Sequence, residues 1–133
     1  MTSFQAVLFA AALAFSGGAW AQGHGHSHSH PTPAAAHGGV VAEATGEHWV
    51  ELVIAGDRLT AWVSDEHNEP IPSSKLGGKA TVLVGGKREE VQLAPGEGNS
   101  LTGKLAAVPS AKVTAVLALT IAGKSAQARF AAR

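Results

Sequence analysis

From Val40 onward, apolar and polar residues alternate in short segments separated by Gly, Pro, Asn and Asp. That is the period of half-buried strands, not of helices. Residues 40–43 open the series and 48–54 follow, with Val50, Leu52 and Ile54 on one face. Ala55-Gly56-Asp57 turns the chain into 58–64, where Leu59, Ala61 and Val63 point inward. The polar stretch 65–72 contains Pro70 and Pro72, which cannot donate to a ladder, so it is a loop or sheet edge. Residues 80–84 and 89–93 flank Gly85-Gly86-Lys87, a hairpin whose glycines supply positive φ.

Beyond the turn at Pro95-Gly96-Glu97-Gly98-Asn99, residues 101–105 make a weak strand and 112–121 the strongest one. Val113, Ala115, Leu117, Leu119 and Ile121 share one of its faces, and Val116 and Ala118 on the other mark it as central. Residues 126–130 align Ala126, Ala128 and Phe130. A helix over 101–116, favoured by its alanines, is interrupted by Gly103 and Pro109. The pattern therefore predicts an all-β fold, an immunoglobulin-like β-sandwich of seven or eight short strands over residues 39–133.

The chain before that domain follows another pattern. Residues 1–21 contain an apolar run from Ala6 to Phe15, then Ser16-Gly17-Gly18, then Ala19-Trp20-Ala21, a small-x-small site for signal peptidase. This reads as a secretory signal peptide cut before Gln22, although no Lys or Arg precedes the apolar run. A membrane anchor needs roughly 20 apolar residues, and the run breaks well short of that. Residues 22–38 are Gly, His, Ser, Pro and Ala, without the aliphatic side chains that offset the entropy of ordering, and are expected to form a disordered His-rich arm. The expected protein is exported, soluble and periplasmic, with no stable membrane anchor after signal cleavage.

Composition narrows the field. The 133 residues carry a formal net charge of zero, which gives no electrostatic reason to expect nucleic acid. There is no Cys, hence no disulfide framework and no site for lipid attachment at a cysteine. Charge is uneven: Glu43, Glu47, Glu51, Asp57, Asp65, Glu66 and Glu69 face only Arg58, whereas Lys and Arg dominate from Pro70 onward. His48 and His67 fall in the acidic half, where carboxylates favour a cation. No nucleophile elbow, H-E-x-x-H or phosphate-binding loop is present, and Asp65-Glu66-His67 is too common a triplet to support catalysis, so no enzyme is expected.

Five of the seven histidines, His24, His26, His28, His30 and His37, lie in the arm, on residues too small and flexible for a core. Metal binding is the leading explanation; a low-complexity linker or an expression tag is the alternative, and a tag is usually an unbroken run. Alternate residues of an extended chain lie about 6.6 Å apart on one side, whereas each imidazole must reach about 2.0–2.1 Å from a shared zinc, so the arm has to bend around the ion. Gly25, Ser27 and Ser29 allow that bend. Imidazole ligands favour zinc, copper(II), nickel or cobalt over magnesium or calcium. With no Cys, and Met only as initiator, soft sites for copper(I) cannot be built.

Cleavage before Gln22 would place His24 third, so that an amine, two backbone amides and one imidazole could enclose a square-planar copper(II) or nickel(II). Gln22, His48 and His67 are secondary candidate ligands. No organic cofactor is implied. Trp49 and Trp62 read as packing residues of strands.

At His37-Gly38-Gly39-Val40-Val41, Trp49-Val50-Glu51-Leu52-Val53, the run from Leu59 to Asp65, and Pro70-Ile71, the chain resembles small exported β-sandwich proteins associated with bacterial heavy-metal resistance. It is also similar there to the extra N-terminal domain of some periplasmic adaptors of cobalt-zinc-cadmium efflux pumps. The resemblance covers about residues 33–130 and lacks the adaptors' coiled hairpin and barrel domains. It implies metal handling in the periplasm, with a metal-efflux system component as a possible partner. The expected role is capture or buffering of a divalent transition metal. A β-sandwich interaction or structural module of the cell envelope with an incidental His-rich linker is the alternative.

Overall fold

The computed structural model describes residues 30–131. Eight strands account for the domain: β1 (Val40–Ala44), β2 (His48–Ala55), β3 (Arg58–Ser64), β4 (Leu76–Val84), β5 (Lys87–Pro95), β6 (Ser100–Lys104), β7 (Val113–Ile121) and β8 (Lys124–Phe130). One turn of 3-10 helix, Ser73–Lys75, leads into β4, and there is no α-helix among the described residues. No helix there is long and apolar enough to cross a membrane. The all-β expectation holds, with every strand pairing antiparallel.

The strand order is β1-β2-β3-β6-β5-β4-β7-β8. β1, β2, β3 and β6 form one layer of the sandwich, and β5, β4, β7 and β8 the other. The layers are continuous: β5 pairs with β4 as far as Leu93, then its last residues, Ala94 and Pro95, pair with Thr102 and Leu101 of β6. At the opposite edge the amide of Thr45, just past β1, donates to the carbonyl of Gln127 in β8 at 3.1 Å, and the Gln127 amide donates to Thr45 Oγ1 at 2.8 Å. The ribbon therefore closes almost into a barrel, more completely than two separate sheets would. β4, β5 and β6 are consecutive neighbours and β7 returns beside β4, a Greek-key connection.

The inward faces meet in one core. Leu59, Leu101, Leu105, Leu117, Val50, Val63 and Val82 are its largest fully buried side chains, and Ala61, Ala80, Ala115, Ala126 and Ala128 fill the space between them. Alternation survives almost intact on β8, whose burial runs exposed, exposed, then buried at Ala126, Ala128 and Phe130 with exposed residues between. β2 departs from it. Trp49, Val50, Glu51 and Leu52 are all buried, although consecutive strand residues point to opposite faces.

The cause is the segment before β1, which lies across the outer face of β2. Ala36, His37 and Gly39 each donate a backbone N–H to the carboxylate of Glu51, at 3.1, 2.7 and 3.0 Å. Fixed structure thus begins before residue 39, the expected start of the domain, because a strand side chain supplies the acceptors that the arm's own composition lacks. Gly38 has φ 73° and turns the chain into β1. At Gly39 a Cβ would run into the carbonyl of Leu52 and a methyl of Val53, so the pair Gly38-Gly39 lets the backbone lie flat on the sheet.

Candidate functional site

Glu51 sits at the centre of β2, opposite Val41 on β1 and Trp62 on β3, so register alone lines up Val41, Glu51 and Trp62 across the outer face. Its side chain is 9% exposed. Burial by itself pushes the group up, but the His37 ring and the amides of Gly39, His37 and Ala36 together hold it below the ordinary carboxylate value. The buried charge is therefore compensated by hydrogen bonds.

His37 lies directly over this row. Its Nδ1 is 2.9 Å from Glu51 Oε2, and its ring stacks on the indole of Trp62 with centroids 3.8 Å apart and planes 5° from parallel. An ionised carboxylate only accepts, so Nδ1 carries the proton, and in the neutral imidazole the lone pair is left on Nε2. The side chain is 41% exposed. Beside it is a cleft of about 170 Å³ whose lining includes His37, Glu51, Trp49, Trp62, Asn68 and Asn99.

The other candidate ligands that fall among the described residues are dispersed. Gln22, His24, His26 and His28 lie outside the described residues, and His30, the first of them, is exposed. His48 begins β2, paired with Ala44, and its Nδ1 is buried with no hydrogen-bond partner. His67 stands on the loop after β3, with its side chain 75% exposed and Nδ1 3.6 Å from Glu66 Oε1. Asp65 in that loop accepts the amides of His67 and Glu69, each at 2.9 Å, so its carboxylate organises the turn. Among the described residues, no three His, Asp or Glu side chains are grouped to hold a metal ion.

Glu51 is the residue that reading by pattern missed as part of a site, since it counted towards the acidic half of the domain and as one member of a resemblance motif, never as a ligand or a partner of His37. Its signal was a lone carboxylate inside Trp49-Val50-Glu51-Leu52-Val53, where a charge is rarely buried unless paired. A second cleft, about 400 Å³, opens between Val40, Leu52, Ile54, Val113 and Phe130, and among the described residues no side chain that could ligate a metal lines it. Comparison with protein-family models, curated proteins and solved structures finds no match to this chain. Its class is thus the one its own strands define, an all-β sandwich domain carrying an imidazole–carboxylate pair on one outer face.

Proposed function

We propose that this protein captures or buffers a divalent transition metal, copper(II), nickel, zinc or cobalt, in the periplasm, and passes it to an efflux system. The observation that carries the reading is the placement of the histidines. Five of seven fall within residues 24–37, and the last of these, His37, is held on the domain with its ring partly exposed. In this reading the arm supplies ligands and the sandwich is their support. Export follows from the signal-like residues 1–21, and delivery to an efflux partner from the resemblance to heavy-metal-resistance proteins.

Calorimetric titration with copper(II), nickel(II), zinc(II) and cobalt(II) tests it, using the whole protein and a variant lacking residues 22–37. Stoichiometric uptake that disappears with the arm is the expected result. Undiminished uptake by the truncated protein, or none by the whole one, overturns the reading. A second reading, a structural or interaction module of the cell envelope, is favoured by one observation: the bonds of Glu51 to Ala36, His37 and Gly39 fasten the segment before β1 to the sheet, a structural role for His37 that needs no ligand. Unchanged metal tolerance in cells whose protein lacks the arm would support it.

A further inference from the structure

The geometry points to a binding site for a single hydrocarbon chain in the cleft of about 400 Å³ between the two layers, with the loop of residues 105–112 as its lip. The inference is independent of the metal-binding reading and uses none of its ligands.

Three observations converge on this cleft. The first is where the barrel fails to close. Among the described residues, β1 and β8 share hydrogen bonds only through Thr45 and Gln127. Thr45 lies just past the end of β1, whereas Val40, its first residue, and Phe130, the last of β8, both line the cleft. The seam is thus fastened at one end and parts at the other. Leu52, Ala115 and Phe130 belong to the core and line the cleft as well. A barrel mouth is a common place for a small-molecule site, since inward-facing apolar side chains meet solvent there.

The second observation is the placement of exposed apolar surface. Val40, 39% exposed, and Val108, 65% exposed, are two of the three large hydrophobic side chains exposed among the described residues, and both line this one cleft. The third is the loop that carries Val108. Its bonds lie at its ends: the Leu105 N–H donates to the Asp57 carbonyl at 2.7 Å, the Ala106 N–H to Glu89 Oε1 at 2.7 Å, and the Lys112 carbonyl accepts from the Gly85 N–H at 3.4 Å. Another cleft, about 520 Å³, lies against the same loop beside Val84, Lys87 and Glu89, so Val108 and Pro109 border open space on both sides. A segment packed so loosely opens and closes at low cost.

The chemistry of the walls selects the occupant. Among the described residues, no side chain lining the cleft carries a charge or a hydrogen-bonding group. A polar group that entered would lose water without gaining a side-chain partner. The volume is near the lower bound of the roughly 300–1,000 Å³ typical of small-molecule sites, and an opening between two layers admits a thin body, not a folded surface. An aliphatic chain meets both conditions, with its polar end left in solvent outside the mouth. Closure of the loop then brings Val108 onto the chain and removes its side chain from water.

The test is an amide and methyl NMR titration of the isotope-labelled whole protein with decanoate and with 1-decanol, each kept below the concentration at which it aggregates. Expected are saturable shifts at Val40, Ile54, Val108, Val113 and Phe130 with both probes, because the chain and not the head group is recognised, and none with butyrate. Val108→Ser, a change at an exposed position that leaves the fold intact, should weaken binding about 10-fold, the equivalent of one valine side chain returned to water. Absence of saturable shifts, or shifts spread equally over Ser125, Gln127 and Arg129 on the outer face of β8, overturns the inference. Undiminished affinity in Val108→Ser removes the loop from the site. Cleft shifts that grow with protein concentration alone would assign the cleft to a second copy of the chain. Equal shifts with the extended peptide acetyl-Thr-Val-Thr-Val-Thr-amide would assign it to an added strand. Either of these last two outcomes overturns the hydrocarbon as occupant.

Discussion

The two layers of the sandwich share a core but differ on their outer faces. In the β5-β4-β7-β8 layer the outward side chains of β8, Ser125, Gln127 and Arg129, are exposed, and burial alternates as a single covered face requires. In the β1-β2-β3-β6 layer the outward Trp49 and Glu51 are 5% and 7% exposed, and residues 36–39 are bonded onto Glu51. One layer is thus covered on both sides at its centre and the other on one. The chemistry sits where the cover is: among the described residues, only under it is a carboxylate desolvated, bonded by amides and joined to an imidazole. A charge placed on the outer face of β8 would meet water instead.

The sharpest way to break that comparison is to damage what the layers share. Leu59→Ala, at a fully buried position of β3, should cost about 2–5 kcal/mol by denaturant unfolding, with protection lost together in both layers. Separate loss would mean that the core is not common to them. Glu51→Ala should act on one layer only. It removes the acceptor of three amides and one ring nitrogen, a loss of about 1–3 kcal/mol, and amide exchange should rise at Ala36, His37 and Gly39 while β7 and β8 keep their protection.

Acid should reproduce that effect more gradually in the metal-free protein. The folded Glu51 carboxyl is held below its ordinary value, so its contribution is fully present above the unfolded pKa of about 4.3. It is lost as pH falls through the lower folded value. Exchange at residues 36–39 followed from neutral to acid pH should show this loss, and Glu51→Gln should remove the dependence. The smallest effect belongs to the uncovered face: Arg129→Ala should change stability by no more than about 0.5 kcal/mol. A larger cost would reveal a cover on the second layer too.

Much of the strand pattern was legible because alternation reports burial directly. β3 spans the expected 58–64, and β7 is a central strand, flanked by β4 and β8. β4 begins at Leu76, before the expected 80, since Gly77 and Gly78 carry no side chain to register the alternation. The weak segment at 101–105 is a strand, Ser100–Lys104, joining the two layers. Its pattern is broken at Gly103, where a Cβ would collide with the side chain of Val91, so the neighbouring strand, not the local period, requires that glycine. The site was half legible. His37 was visible as a candidate ligand, but its partners were not: Glu51 is 14 residues away, and nothing local connects them.

By itself the sequence determined the strands and the kind of chemistry available, because side-chain period and residue type are local properties. It concentrated imidazoles before Val40 and excluded thiolates throughout. Only the tertiary structure decided which imidazole is fixed. The antiparallel registers of β1, β2 and β3 set Val41, Glu51 and Trp62 side by side, and a carboxylate buried on that row needs donors that the arm's amides and His37 ring supply. Docking follows from satisfying a buried charge across the sheet, a requirement that exists only once the strands have paired.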